Sequence, residues 1–453
     1  MQKILAIAWL TWKAAVRFRL FAVIAVLLVL AVVGLPLIIK DDGTANGFTQ
    51  IILTYTLSAV TTLLGISTLW LSCGTLARDI EECQIQVIAT KPIARWQIWL
   101  GKWLGIASLN AVLLILAGGC IYGLLQWRAS KLPAQERADL RTQVLVARGS
   151  ARERNYDAEI DAETQQILQN RLKQSPITTA DLAEVRQQIR EQVKADFQLV
   201  PPGYTRSWQI DLGSAKNYIE NKPLQVRVKF NAANHSPSGT YVAAWQIGDQ
   251  NSTNLVQIMQ ASLTPDNFHE FQIPPNLFKS NGELDIVFLN ANNTALLFPI
   301  EDGMEVLYPE SSFTVNFIRG LGVIFCWLVL LSAIGLMAAS FLSFPVATFF
   351  SLALLAIAFS SDTLAEAVET GGGPATTHSF SDVLITPVYE GMVYILNLAE
   401  KFSPIDAVST GRSIPWSELA TAFGQIVLLL GGAFALIGII LFNRRELATA
   451  QNQ

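Results

Sequence analysis

The sequence predicts an α-helical membrane protein with six transmembrane helices and a polar insert between helices 3 and 4. Of its 453 residues, 51% are hydrophobic and 15% are charged, whereas about 25% of the residues in a soluble protein carry a charge. The mean hydropathy is +0.37. Six apolar stretches reach or approach the roughly 20 residues that a helix needs to cross a bilayer. They cover residues 20–39, 49–73, 103–127, 320–342, 344–361 and 419–442.

Composition also excludes several classes of function. The net charge of −4 argues against a nucleic-acid partner, because such a partner requires a concentrated basic surface. None of the four cysteines lies in the polar region 128–312, so that region holds no disulfide, and no Cys/His spacing is typical of zinc. The sequence has no phosphate-binding loop: the pair Gly101-Lys102 is followed by Trp103, not Ser or Thr. We therefore expect no ATP hydrolysis by this chain itself.

The distribution of basic residues predicts the orientation of the spans, because lysine and arginine resist translocation. Basic residues precede the first span, separate the second from the third, and follow the last, which places both termini in the cytoplasm. The fifth stretch is short, and a re-entrant hairpin there would leave the number of crossings even. Region 382–398 is interrupted by Pro387 and Glu390, so we predict an interfacial or partly re-entrant helix there, within an outer segment at 362–417.

The insert divides into two parts by its periodicity. Region 128–200 is predicted to be a helical hairpin, since apolar residues recur at spacings of three and four, and Thr178 with Asp181 forms a capping box. It is either a solvated hairpin or a pair of helices that docks a partner. In region 201–312, PLQVRVKF alternates apolar and polar residues, and GTYVAAWQIGD, HEFQIPP and GELDIVFLNAN follow between turn-forming residues. Short strands with turns between them predict a jelly-roll-like β-sandwich.

The second span carries a stripe of small residues on one helix face. Close helix packing is the first interpretation, because small residues let helix backbones approach one another in lipid. The alternative is that the stripe lines a substrate path or the contact with a second copy. The stripe consists of Thr54, Ser58, Thr61, Gly65, Thr68 and Ser72.

The segment at 77–96 is charged and lies between two spans. Its apolar and acidic residues fall on different faces of a helix, and Pro92 interrupts it. We predict an amphipathic cytoplasmic coupling helix fixed to the second and third spans, on which a soluble partner could act as on a lever. The alternative is an ordinary solvated connector.

This segment resembles the loop of type-2 ABC transporter permeases, in which a basic residue and an acidic pair precede a proline-containing turn and a Gly-Lys pair. FLSFPVA at 341–347 and FNRREL at 442–447 are similar to the family's inner turn and C-terminal end, and Cys83 replaces a family glycine. ILNLAEKFSPIDAV at 395–408 is similar to the subgroup described as permeases for multicopper-enzyme maturation. The residues that carry the loop motif are Arg78, Glu81, Glu82, Lys91, Pro92 and Arg95.

The resemblance implies a permease subunit of an ATP-driven exporter in the bacterial inner membrane. The motif residues would seat in a separately encoded ABC ATPase, with two ATPases and two permease copies or paralogues in the complex. This chain would bind no cofactor, and ATP-Mg would bind to the partner. An apolar pathway would suit a lipid- or glycan-linked substrate. Hydropathy and periodicity divide the chain into 1–127 with spans 1–3, 128–200 and 201–312 outside, and 313–453 with spans 4–6.

A second function remains open at this point. FHEFQIP and GELDIVFLN look like parts of a carbohydrate-binding jelly roll, so Trp208, Tyr241 and Trp245 either stack on sugars or fill the sandwich core. A membrane-anchored binding or scaffold protein, with the sandwich as its working part, is therefore the alternative to transport. An intramembrane enzyme would need paired ionisable residues deep in the spans, and the sequence offers none.

Overall fold

The computed structural model describes residues 2–17, 19–39, 44–82, 84, 93–174, 182–234, 236, 238–248, 256–279, 281–300, 302–359, 398 and 402–445. The chain divides into two compact units. The helical unit comprises Met1–Ala147 and Ser312–Gln453, and the insert unit comprises Arg148–Ser311. The insert unit therefore begins later than residue 128, where the sequence analysis placed the boundary.

The described residues of the first part of the helical unit form five helices. The predicted second and third spans are parts of longer helices, each extended at both ends. Thr44 begins the helix of the second span, because its side chain accepts a hydrogen bond from the Gly47 amide at 3.1 Å. The helices are α1 (Gln2–Arg17), α2 (Leu20–Ile38), α3 (Ala45–Glu81), α4 (Arg95–Lys131) and α5 (Ala134–Gln143).

The insert unit contains helices and β-strands. Four of its strands coincide with the stretches that alternation predicted, but its first strand, in the sequence VARGSAR, lies in the region predicted to be helical. The helices are α6 (Asp157–Gln174), α7 (Leu182–Gln198) and α8 (Lys216–Ile219). The strands are β1 (Val146–Arg152), β2 (Leu199–Val200), β3 (Thr205–Asp211), β4 (Leu224–Val228), β5 (Asn231–Ala232), β6 (Tyr241–Gly248), β7 (Val256–Leu263), β8 (His269–Ile273), β9 (Glu283–Asn290), β10 (Leu296–Leu297) and β11 (Met304–Ser312).

The strands form two four-stranded sheets, ordered β1-β11-β4-β8 and β3-β9-β6-β7, and a small sheet ordered β2-β10-β5. Strand β4 pairs antiparallel with β8 and β11, and β6 pairs antiparallel with β7 and β9. Alternate residues of β4, such as Val226, and of β6, such as Trp245, belong to one hydrophobic core. Both four-stranded sheets thus contribute to the same core, as period-two alternation requires. Residues Ile160, Leu168, Ile189 and Val193 form a separate small core between α6 and α7.

The second part of the helical unit contains α9 (Phe313–Phe341), α10 (Phe344–Phe359), α11 (Pro404–Ser409) and α12 (Trp416–Arg444). Helix α12 has π-helical geometry from Phe423 to Gly431. The predicted interfacial helix at 382–398 lies outside the described residues except for Leu398.

Among the described residues, five helices are long and apolar enough to cross a membrane: α2, α3, α4, α9 and α12. Helix α10, which corresponds to the fifth predicted span, is apolar but has 16 residues. A mostly helical chain with several such helices has the features of a multi-pass membrane protein.

Candidate functional site

Charged side chains connect the ends of five helices in the helical unit. These ends are the last residues of α3, α9 and α12 and the first residues of α4 and α10. The segment predicted to couple to a partner lies here. We call this region the capped end, defined by Arg78, Glu81, Arg95, Lys102 and Arg445.

Arg95 is the first residue of α4, and its side chain reaches the end of α12. Its Nη1 donates to three backbone carbonyls, those of Phe442 at 3.1 Å, Asn443 at 2.8 Å and Arg445 at 2.9 Å. The last carbonyls of a helix have no partner within the helix and carry partial negative charge. The guanidinium therefore caps α12 and ties it to the start of α4.

Arg445, at the end of α12, makes the same kind of contact with α9. Its Nη1 donates to the carbonyls of Ala339 at 3.2 Å, Ser340 at 3.3 Å and Leu342 at 3.5 Å. These carbonyls belong to the end of α9. One arginine thus connects α4 to α12, and a second connects α12 to α9.

Arg78 and Glu81, in the last turn of α3, contact the short turn between α9 and α10. The Glu81 Oε1 accepts a hydrogen bond from the Phe344 amide at 2.9 Å, and this amide is the first of α10. The Arg78 guanidinium lies 4.3 Å from the centre of the Phe344 ring. A carboxylate at a helix N-terminus and a cation over an aromatic ring are both favourable. The end of α3 is therefore bound to the start of α10.

Lys102 lies about two turns inside α4 and is 5% exposed. Its Nζ lies 2.5 Å from Asp79 Oδ2 and 2.6 Å from the Thr75 carbonyl, both on α3. A buried ammonium requires such a partner, since an isolated charge in this environment is costly. Within the capped end, this pair fixes α3 against α4.

Arg78, Glu81 and Arg95 of the predicted coupling segment lie at the capped end, where each contacts another helix. Residues 77–81 continue α3 and residues 95–96 begin α4, so these parts do not form a separate helix. Glu82 is exposed and accepts a hydrogen bond from Gln84 at 2.6 Å. Lys91 and Pro92 lie outside the described residues.

Sequence reasoning missed Lys102 and Arg445 as parts of this site. The signal was present for both residues. A lysine inside an apolar helix requires an acidic partner, and Asp79 was the nearest candidate across the loop. A basic residue just after a helix often binds helix carbonyls, although which helix it binds depends on the tertiary fold.

Helix α1 packs closely against the first turns of α4. A Cβ atom built on Gly101 would lie 2.6 Å from Ile7 Cβ, and one on Gly105 would lie 2.8 Å from Thr11 Cβ. Both distances are too short for a real side chain, so the two glycines are required for this contact. Helix α1 is thereby attached to the helix that Arg95 begins.

The stripe on α3 is most buried in its second half. Gly65, Thr68 and Ser72 are buried there. The Thr68 hydroxyl is shared between the Leu64 carbonyl at 2.6 Å and Asn110 Oδ1 on α4 at 3.1 Å. A methyl group on Gly335 of α9 would overlap the Ser72 hydroxyl. This half is thus a contact between helices. The other three members, Thr54, Ser58 and Thr61, are partly buried, and the Thr61 hydroxyl has no hydrogen-bond partner among the described residues.

The insert unit does not present the predicted stacking aromatics to solvent. Trp208, Tyr241 and Trp245 are 1%, 3% and 1% exposed. Trp245 packs at a ring-centroid distance of 4.6 Å from Phe288, within the shared core. Their interpretation as sugar-stacking residues is therefore corrected: burial on the inner face of the strands leaves no ring face for a ligand.

One sheet of the insert unit carries a row of paired charges instead. Glu305 on β11 lies 3.2 Å from Arg227 and 3.4 Å from Arg152, and Glu270 on β8 lies 2.9 Å from Arg148. Glu305 and Arg227 are buried. Tyr156 directly precedes α6, and desolvation raises its pKa above the ordinary value. Among the described residues, no group of three or more His, Cys, Asp or Glu side chains could hold a metal ion.

Comparison with known proteins gives no relative from which to transfer a function. No protein-family model, no curated protein and no solved structure matches this chain. The capped end is therefore the feature of this chain that bears on its function.

Proposed function

We propose that this chain is the membrane subunit of an ATP-driven exporter of the type-2 ABC permease kind. A separate ATPase, in two copies, would bind ATP-Mg and contact this chain at the capped end. A second copy or paralogue of the chain would complete the transporter. The substrate class that an apolar pathway favours is lipid- or glycan-linked.

One observation carries the proposal. The residues that resemble the family's coupling loop, Arg78, Glu81 and Arg95, contact the ends of α10 and α12. A solvated connector would not need such contacts. A partner that moves this region would act on several apolar helices together, which is what an energy-coupling surface must do. Glu82 is exposed beside this region and offers the partner an acidic contact.

The proposal includes the finer features of the fold. We take α10 as the fifth of six spans, shortened relative to the others, and the two four-stranded sheets of the insert unit as a jelly-roll-like sandwich outside the membrane. The charge distribution supports a cytoplasmic location for both termini, in a bacterial inner membrane.

A membrane-anchored binding or scaffold protein is the second candidate. The observation in its favour is that the insert unit has its own hydrophobic core, whose residues run from Ala151 to Val306. A scaffold would not require the helix ends to be joined by charged side chains, and the predicted aromatic ligand surface is buried. Transport is therefore the better supported function.

The test is purification of the full chain from native membranes with its bound proteins. We expect an ATPase with a phosphate-binding loop to co-purify, and its ATP hydrolysis in proteoliposomes to exceed that of the ATPase alone. Glu82→Lys should abolish this stimulation while leaving insertion unchanged, because it reverses the charge of the exposed contact. The matched control is Glu136→Lys, an exposed glutamate in the first turn of α5. Unchanged stimulation in Glu82→Lys would remove the coupling role of this surface.

A further inference from the structure

We infer that Arg95 and Arg445 are positioning residues that transmit movement from the α3–α4 connection to α12 and then to α9. The transmission rests on the proposed function, whereas the two helix caps stand on the geometry alone. The coupling helix predicted at 77–96 would move only the second and third spans. The structure connects two further spans, α12 and α9, to the start of α4 through these two arginines.

The first link depends on a single nitrogen. All three carbonyls at the end of α12 are bound by Arg95 Nη1, at 2.8–3.1 Å. Phe442, one of the three residues, is fully buried in a core with Trp99 of α4. Displacement of Arg95 would therefore leave carbonyls of a packed helix end without their cation, and α12 would either follow α4 or lose its last turn.

The second link repeats this arrangement with Arg445. Its Nη1 faces the three carbonyls at the end of α9, while its own carbonyl is one of the acceptors of Arg95. The same residue is thus acceptor in the first link and donor in the second. A shift of Arg445 that follows Arg95 is therefore passed to the carbonyls at the end of α9.

The two links predict a difference between conservative and non-conservative substitutions. A lysine ammonium has three donors on one nitrogen, so Arg95→Lys can still serve several carbonyls. Arg95→Gln removes the positive charge from the helix end. Arg444→Gln is the matched control, since Arg444 is the exposed neighbour of Arg445 at the same helix end.

The experiment is amide hydrogen exchange of the full chain in lipid nanodiscs, first without any partner. In Arg95→Gln we expect exchange of residues 438–445 to become about tenfold faster, the effect of losing a charge-assisted cap. Arg95→Lys and Arg444→Gln should stay within about twofold of the parent chain. In Arg445→Gln the faster exchange should appear at residues 335–342. Equal exchange in all four variants would overturn the caps.

The same measurement on the complex with its co-purified ATPase, with and without ATP-Mg and vanadate, tests the transmission. In the parent complex we expect nucleotide to change exchange at residues 95–99, 438–445 and 335–342. In Arg95→Gln only residues 95–99 should respond, and in Arg445→Gln only residues 335–342 should lose the response. A parent-like response of α12 in Arg95→Gln would overturn the transmission alone. No response anywhere in the parent complex would overturn the proposed function and, with it, the transmission.

Discussion

The helical unit and the insert unit place their large apolar side chains in opposite locations. Leu30, Leu37 and Phe349 of the helical unit are 61%, 82% and 76% exposed, whereas Trp208 and Trp245 of the insert unit are buried. Water drives apolar residues into the core of the insert unit. In lipid that force is absent between helices, and close packing replaces it.

The contacts between helices reflect this difference. Gly101, Gly105 and Gly335 lie where a side chain would collide with a neighbouring helix. The helical unit should therefore be sensitive to added volume, and the insert unit to removed volume. The charged residues of the two units also have different roles. In the helical unit, Arg95 and Arg445 cap helix ends, whereas in the insert unit Glu305 and Arg227 pair across strands.

Removal of volume from the insert core should have the largest effect. Trp245→Ala is expected to destabilise the insert unit by about 3–5 kcal/mol, because it leaves a cavity beside Phe288. Chemical unfolding of the full chain in detergent, followed by proteolysis of the insert, measures this. Tyr204→Ala, at a residue 66% exposed, is the control and should change little. Similar losses in both variants would contradict the described core.

Removal of a buried charge from the insert sheet should have the second largest effect. Glu305→Ala is expected to cost about 3 kcal/mol, because Arg227 and Arg152 lose the carboxylate they share. The same unfolding assay reports it, with exposed Glu310→Ala as the control. A cost below that of the control would show that the charged row does not hold β11 against β4.

Addition of volume to the helical unit should have a moderate effect. Gly101→Leu is expected to destabilise the unit by about 1–3 kcal/mol, because it forces α1 away from α4. Gly119→Leu on the same helix is the control, since nothing lies within 4 Å of its added Cβ. Thermal unfolding in nanodiscs should separate the two variants. Equal stability would mean that α1 does not pack on α4 as described.

Loss of a single hydrogen bond between helices should have the smallest effect. Thr68→Val removes the contact with Asn110 and is expected to cost about 0.6 kcal/mol. Thr62→Val, at an exposed position on the same helix, is the control. A cost above about 2 kcal/mol would contradict the interpretation that Thr68, within the small-residue stripe of α3, contributes only to helix packing.

Hydropathy and alternation predicted much of the fold. The apolar stretches located α2, α3, α4, α9 and α12, and period-two patterns located β4, β6, β8 and β9. Strand β1 was missed because VARGSAR lacks alternating apolar residues; its Arg148 is instead matched by Glu270. A local pattern cannot show that a charge on one strand is satisfied by another strand far along the chain.

The candidate site was predicted only in part. The loop motif identified Arg78, Glu81 and Arg95, but not the carbonyls or amides that they bind. Lys102 and Arg445 were missed because their role depends on which helix ends meet in the fold. Burial also decided what composition could not: whether Trp208, Tyr241 and Trp245 stack on ligands or fill a core.

The central claim is that the capped end faces the cytoplasm, where an ATPase can reach it. Labelling with a membrane-impermeant maleimide tests this in chains whose four native cysteines are replaced. We predict that Glu82→Cys is labelled in inverted membrane vesicles and not in intact cells, while Glu136→Cys shows the reverse. Labelling of Glu82→Cys from outside intact cells would contradict the account.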